Sequence, residues 1–232
     1  MTGSGRVAMV SGGNRGIGRA VAQELAAHGW IVSVGCRNPD KFEPIQGATA
    51  FRFDAREAAS ETAWVADTKA RFGRIDALVH CAGVAIRKTV LTVNDAEFDE
   101  MFDVNVKSPL RLSQKAWPHL VECGAGRIVV LASLSGKRVK SESTGVYAMS
   151  KHAAVALAHA LRRSGHPLGI RATAICPGLV DTDMTASYRD QVPAEAMTQP
   201  ADVAQIIRTV IELPSTASVA EVPINYGMED SY

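Results

Sequence analysis

Short apolar runs and helix-length stretches alternate along this chain almost from its first residue, and that alternation is the strongest limit on what it can fold into. The runs "RVAMVS" (6–11), "WIVSVGC" (30–36), "ATAFRF" (48–53), "ALVHCA" (77–82), "RIVVLAS" (127–133), "IRATAIC" (170–176) and "EVPIN" (221–225) read as seven strands. Most carry Val, Ile or Ala at successive positions, the pattern of strands covered on both faces. Between them "IGRAVAQELAAHG", "AASETAWVADTKARFG", "DAEFDEMFDVNVKSPLRLSQKAWPHLVECG", "HAAVALAHALRR" and "PADVAQIIRTVIELP" read as helices. Strands that alternate with helices predict an α/β fold with a parallel sheet and helices on both faces. No linker, repeat or low-complexity segment interrupts the pattern, so residues 1–232 are expected to form one domain, of a size that a single core can hold. Either Pro109 or Pro118 is expected to kink or break the helix around 94–122. Residues 183–199 are polar and aperiodic and read as a mobile loop or short helix over the sheet edge.

Charge narrows the possible functions. With 25 basic and 24 acidic residues the chain has no overall field for nucleic acid or a membrane surface. No apolar run approaches the ~20 residues a spanning helix needs, and no signal peptide is visible, so the expected compartment is the cytoplasm. Cys36, Cys81, Cys123 and Cys176 lie more than forty residues apart, which suggests neither a disulfide framework nor a metal site. A functional reading has to come from a local site that binds a small molecule.

One such site follows the first strand. In "VSGGNRGIGRA", Gly12, Gly16 and Gly18 permit a tight turn and a close approach by a pyrophosphate, and the helix that follows offers its unpaired N–H groups to phosphates. A glycine-rich run between an initial strand and an Ala-rich helix predicts dinucleotide binding. A second signal is "GVYAMSK", where Tyr147 and Lys151 are four residues apart and share a helix face. That pair is inconclusive alone.

The spacing Gly12-x-x-x-Gly16-x-Gly18 resembles the TGxxxGIG of the short-chain dehydrogenase/reductase family, with Ser11 keeping a hydroxyl where the family has Thr. The resemblance runs from Val7 to about Asn225. It takes in "HCAG" (80–83) where the family usually has NNAG, "DVNV" around Asn105, "LASLSG" around Ser133, Tyr147-x-x-x-Lys151 and "CPGLVDT" (176–182). It implies a three-layer Rossmann fold with a doubly wound, mostly parallel seven-stranded sheet. It implies cofactor contacts from Gly12, Asn14, Arg15, Gly16, Ile17 and Gly18, and from Arg37, Asp54 and Ala55. Further contacts are implied from Cys81, Ala82, Gly83, Asn105, Tyr147 and Lys151, and around Pro177, Gly178, Val180 and Thr182. Cys36 stands at the family's acidic position, which would bond a ribose 2′-hydroxyl, and Arg37 follows it. Arg15 and Arg37 with no carboxylate suit a 2′-phosphate, so NADP(H) is favoured over NAD(H). His80 and Cys81 replace two amides, and His80 reads as a structural strand-end residue.

The resemblance makes Tyr147 the acid/base, Ser133 the substrate-orienting hydroxyl, Lys151 its electrostatic partner and Asn105 the holder of a water linking Lys151 to solvent. Ser135 competes with Ser133; Ser133 is chosen because it stands three residues before Gly136. For Tyr147 to act as a base near neutrality its pKa of about 10 would have to fall by roughly 2–3, about 3–4 kcal/mol. A lysine charge ~4 Å away at an effective dielectric of ~20 supplies about that much. No metal is implied.

The expected activity is carbonyl reduction to an alcohol, or its reverse, on a small-molecule substrate. The alternatives are a 3-oxoacyl-carrier-protein reductase and a nucleotide-sensing regulator. The family's frequent DGG ending is replaced by "VPINYGMEDSY", which weakens the acyl-carrier reading and the usual tetramer contacts. The apolar "AAVALAHAL" segment and the Asn105 helix resemble the family's dimer-forming pair, and a homodimer or homotetramer is expected. Lys137, Arg138 and Lys140, with Arg87 and Lys88, read either as solvated loops or as a cationic pocket mouth, the solvated reading being preferred.

Overall fold

The computed structural model describes residues 5–228. Seven strands appear where the apolar runs predict them: β1 (Val7–Ser11), β2 (Ile31–Cys36), β3 (Ala48–Arg52), β4 (Ala77–His80), β5 (Arg127–Leu131), β6 (Arg171–Pro177) and β7 (Glu221–Ile224). Six α-helices connect them: α1 (Gly16–Ala27), α2 (Ala58–Phe72), α3 (Asp95–Phe102), α4 (Ser108–Glu122), α5 (Gly145–Gly165) and α6 (Pro200–Glu212). The strands form one sheet in the order β3-β2-β1-β4-β5-β6-β7, and every neighbouring pair is parallel. This is the doubly wound Rossmann architecture, with its order reversing between β1 and β4.

The sheet is buried on both sides because each strand feeds two cores with period two. Met9 of β1 packs into the core beneath α2, α4 and α5, while Ala8 and Val10 pack beneath α1 and α6. In β5, Ile128 and Val130 face the first core and Val129 the second. Continuous apolar runs are what such strands require.

The helix around 94–122 breaks, but not through a proline in its interior. α3 and α4 are separated by a π-turn over Asp103–Lys107, and α4 runs on through Pro118. Pro109 lies in the first turn of α4, where a missing N–H is tolerated. It has no N–H to return to the Asn105 carbonyl, and the Ser108 N–H reaches back five residues to Asp103. Residues 183–199 form two short 3-10 turns, Asp183–Tyr188 and Ala194–Ala196. No described helix is long and apolar enough to cross a membrane.

A buried ion pair ties this frame to the cleft. Glu61 of α2 is fully buried and accepts two hydrogen bonds from Arg111 of α4, at 2.9 and 2.7 Å. Arg111 also donates to the Ala55 carbonyl at 3.0 Å, at the turn that follows β3. Removing one member of such a pair leaves the other desolvated without compensation. Glu61→Ala should therefore lower unfolding stability by about 3 kcal/mol, with Glu61→Gln losing less. Urea denaturation of both variants checks this, and an unchanged midpoint in Glu61→Ala would show that the pair contributes nothing.

Candidate active site

At the end of β1 the chain turns sharply through Gly12, whose φ of +67° disfavours any side chain. A Cβ there would lie 2.9 Å from the Ala82 Cα, so only glycine lets the loop after β1 rest against the loop after β4. Two hydrogen bonds strap these loops together: the Ser11 hydroxyl accepts from the N–H groups of Cys81 and Ala82, at 3.1 and 3.2 Å. The Gly12 N–H is fixed in turn to the Gly35 carbonyl of β2, at 2.8 Å. A cleft of about 600 Å³ opens above this knot.

The cleft gathers nearly every residue that the resemblance implies. Gly12, Asn14, Arg15, Gly16, Ile17 and Gly18 line one end, with Arg37, Asp54 and Ala55 beside them. Cys81, Ala82 and Gly83 form the middle, and Tyr147, Lys151, Pro177, Gly178, Val180 and Thr182 the other end. Asn105 alone does not line it. Asn105 is buried behind Gly83, and its side chain exchanges two hydrogen bonds with the Val84 backbone, both 2.9 Å, and donates to Ser150 at 3.0 Å. Both amide hydrogens are thus spent on the protein, so the side chain shapes the loop after β4.

Arg15 and Arg37, the two arginines expected to act together, both line the cleft. Arg37 lines an adjoining cavity with Asn14, Asn38, Lys41 and Glu43, whereas the Arg15 guanidinium pairs with Asp183 at 3.4 Å. Lys41 was not legible as a site residue, though "CRNPDK" carries a signal: the turn Pro39–Lys41 brings it back towards Arg37. Cys36 brings no carboxylate here, its thiol being buried and pushed up by that burial, and the Glu43 carboxylate in this cavity pairs with Arg19 at 3.1 Å. Asp54 is held by Arg56, through its N–H at 3.1 Å and its guanidinium at 3.3 Å. Burial works to raise the Asp54 carboxyl, but the Arg56 hydrogen bonds and charge outweigh it and the net direction is down.

The reacting groups meet where β5 ends. Ser133 opens the tight turn Leu134–Gly136; its oxygen accepts from the Ser135 N–H at 3.1 Å and donates to the Pro177 carbonyl at 3.3 Å. Tyr147 lines the same cleft as Ser133. Gly136 makes this meeting possible, because a Cβ there would stand 2.6 Å from the Lys151 carbonyl. Its spacing from Ser133 thus has a steric cause: the turn after β5 must press directly on the backbone of α5.

Lys151 lies below the phenol, its ammonium 5.7 Å from the Tyr147 ring centroid and donating to the Leu131 carbonyl at 2.9 Å. The electrostatics correct one expectation. Burial pushes the Tyr147 phenol up to about 12, against the opposing pull of Ser133 and the Arg87 charge, rather than down towards neutrality. Burial also lowers Lys151, to about 8, so desolvation outweighs the attraction expected between the pair. His80 is buried against the Ser113 hydroxyl at 2.9 Å and is lowered by burial to about 3, so it is neutral. Lys137 pairs with Glu221 of β7 at 2.7 Å and Lys88 with Glu97 at 2.6 Å, so these two cations serve structural ion pairs.

The family model for short chain dehydrogenases matches residues 6–193. The chain belongs to the short-chain dehydrogenase/reductase family. It is similar to an agropine synthesis reductase of Rhizobium rhizogenes, 37% identical over 92% of this chain and 50% of that protein. It thus spans about half the length of that relative. Among solved structures, a dehydrogenase/reductase from Sinorhizobium meliloti superposes with a TM-score of 0.85 at 28% identity, covering 97% of this chain and 96% of the other. A variant of an actinorhodin polyketide ketoreductase, solved with NADPH, gives a TM-score of 0.85 at 27% identity, with 97% of each chain covered.

In this short-chain dehydrogenase the Ser11 hydroxyl satisfies two backbone donors at the base of the cleft. Ser11→Ala would leave them without that acceptor, at about 1–3 kcal/mol for a buried group. We expect roughly tenfold weaker binding of NADPH by fluorescence titration and a lower melting temperature, both restored by Ser11→Thr. Unchanged affinity in Ser11→Ala would remove the hydroxyl from the account.

Proposed function

We propose that this chain is an NADP(H)-dependent oxidoreductase that reduces a small ketone or aldehyde to its alcohol, or runs the reverse. The observation that carries the reading is the meeting of Ser133, Tyr147 and Lys151 at one end of a cleft whose other end is the glycine-rich turn. The residues fit a dinucleotide. Gly12 and Gly83 remove side chains along the cleft wall, and the N-terminus of α1 faces it with its unpaired N–H groups. Arg37 and Lys41, with Asn14 and Asn38, form a basic corner suited to a 2′-phosphate; Glu43, which also lines it, is paired with Arg19 at 3.1 Å, and no acid stands at Cys36. Pro177, Gly178, Val180 and Thr182 would hold the nicotinamide end. When bound, that group supplies or takes up the hydride.

The chain's own residues handle the oxygen. Ser133, held by the Ser135 N–H, would turn its one hydroxyl hydrogen from the Pro177 carbonyl to a substrate carbonyl and so fix its direction. Tyr147, protonated across the neutral range because burial holds it at about 12, gives its proton to that oxygen. The Lys151 charge stabilises the phenolate as it forms, and Asn105 keeps the loop between them in place through Val84. A homodimer through α4 and α5 fits the exposed Leu110 and Met149 on those helices.

The first test is a panel of ketones and aldehydes followed by NADPH absorbance, with Tyr147→Phe as control. Loss of the donor should cost at least ~100-fold in kcat with cofactor affinity within threefold of wild type. Activity within tenfold of wild type would remove Tyr147 from the chemistry.

Cofactor choice is tested by comparing NADPH with NADH in the wild type and in Arg37→Asp. The wild type should prefer NADPH, and the variant should narrow or reverse that preference, more so when Lys41→Ala is added. Equal use of both cofactors by the wild type would make the basic corner irrelevant.

The pH profile follows from Lys151. Its charge is present below about 8 and is lost as pH rises through that value, while Tyr147 stays protonated to about 12. kcat/KM for reduction should be level below about pH 7.5 and fall towards tenfold per pH unit above about 8.5. A profile that stays level to about pH 10 would show that the lysine charge is not needed.

A further inference from the structure

The acids around the mouth of the cleft are each taken by a basic side chain. Asp183 pairs with Arg15 at 3.4 Å, Glu97 with Lys88 at 2.6 Å, Asp181 with Arg189 at 2.6 Å, and Glu100 with Arg56 at 3.8 Å. Arg87 is the exception. It forms no ion pair among the described residues, and neutral groups hold its guanidinium instead. One nitrogen donates to the Met184 carbonyl at 3.0 Å, the other to the Ser187 hydroxyl, and the guanidinium carbon stands 4.2 Å from the Tyr188 ring centroid. Met184 and Ile86, the residue before Arg87, line the cleft, and Arg87 stands at its edge.

These contacts orient the side chain and stack its plane, yet engage only two of the five N–H donors that a guanidinium carries. The Arg87 charge is felt at the Tyr147 phenol, where it opposes the effect of burial. The chain therefore holds a forked cation within electrostatic reach of Tyr147, and no described residue supplies an anion to neutralise it. A planar fork of this kind matches a carboxylate with two parallel hydrogen bonds, and a neutral group cannot replace those charge-assisted contacts.

We propose that Arg87 is the receptor for a substrate carboxylate, and that the natural substrate is a carbonyl compound bearing a carboxylate. This rests on the carbonyl-reductase reading above. Arg87 is then a specificity residue: it selects and aligns the substrate, while Ser133 and Tyr147 act on the carbonyl oxygen. Capture of the carboxylate adds to the bonds to Met184 and Ser187, so the 183–188 segment stays in place over the substrate.

The experiment compares phenylglyoxylate and levulinate, each beside its methyl ester, with NADPH, in the wild type, Arg87→Met and Arg87→Lys. The wild type should favour the free acids at least tenfold in kcat/KM. Arg87→Met should lose tenfold or more of that acid-to-ester ratio. Arg87→Lys should keep part of it, having the charge without the fork. A wild-type ratio near one would overturn the proposal. So would an equal fall for acid and ester in Arg87→Met, because Arg87 would then be only a clasp on the 183–188 segment.

Calorimetric titration of mandelate and methyl mandelate into the NADP-loaded protein separates the two claims. Mandelate binding that weakens tenfold in Arg87→Met, with no carbonyl compound turned over, would sink the reductase reading and keep the carboxylate site. Esters reduced with no acid preference, or mandelate binding indifferent to Arg87, would sink the carboxylate site alone.

Discussion

β1 and β4 run in register as far as Ser11 and His80, and the cleft exists because the chain leaves those two ends in opposite directions. From β1 it passes into α1, on the face shared with α6; from β4 it passes to the face of α2, α4 and α5. Two diverging backbones in a buried setting need their polar groups satisfied. The Ser11 hydroxyl does this for Cys81 and Ala82, and the Gly35 carbonyl does it for Gly12. The absence of side chains at Gly12 lets the two loops touch. The cofactor floor is therefore a consequence of how two parallel strands end, and its chemistry is largely that of the backbone.

The reacting end is built by a different constraint, close packing of a turn on a helix. With Gly136 against the Lys151 carbonyl, Ser133 cannot drift from Tyr147, and the three side chains share a water-poor corner. There burial disfavours both charged forms, raising the phenol and lowering the ammonium. The sequence argument that a nearby lysine would pull the tyrosine down counted the attraction between the groups and left out the cost of removing both from water.

Legibility followed periodicity and steric necessity. All seven strands were visible because strands covered on both faces cannot afford polar positions, and the ends at Ser11, Cys36 and Leu131 fell within two residues of the expected ones. Some glycines were readable for a steric reason: at Gly12, Gly18 and Gly136 a side chain would collide with neighbouring backbone. The break at Asn105 was harder to read. Proline alone says where an N–H is missing, and both Pro109 and Pro118 qualify. Only Pro109 stands where the helix can restart, in a first turn that needs no donor. Lys41 was missed because its place beside Arg37 depends on a three-residue turn with no periodic signature.

Charge was the least legible property, because a sequence lists charges and a fold pairs them. Lys137 and Lys140 looked equivalent to Arg87 and Lys88 as candidates for a cationic pocket mouth. Folding sends Lys137 to Glu221, where it shares the carboxylate with His159, and Lys88 to Glu97. Half-buried pairs of this kind remove cations from the set available to a ligand. Arg15, which lines the cleft as Arg37 does, pairs with Asp183 at 3.4 Å. Arg87 differs from these neighbours in having no ion pair among the described residues and neutral groups that hold it. Neither property can be read from composition, since both depend on which elements the sheet order brings together. The loop after β4 and the segment after β6 meet at Arg87 only because β4, β5 and β6 are consecutive in the sheet.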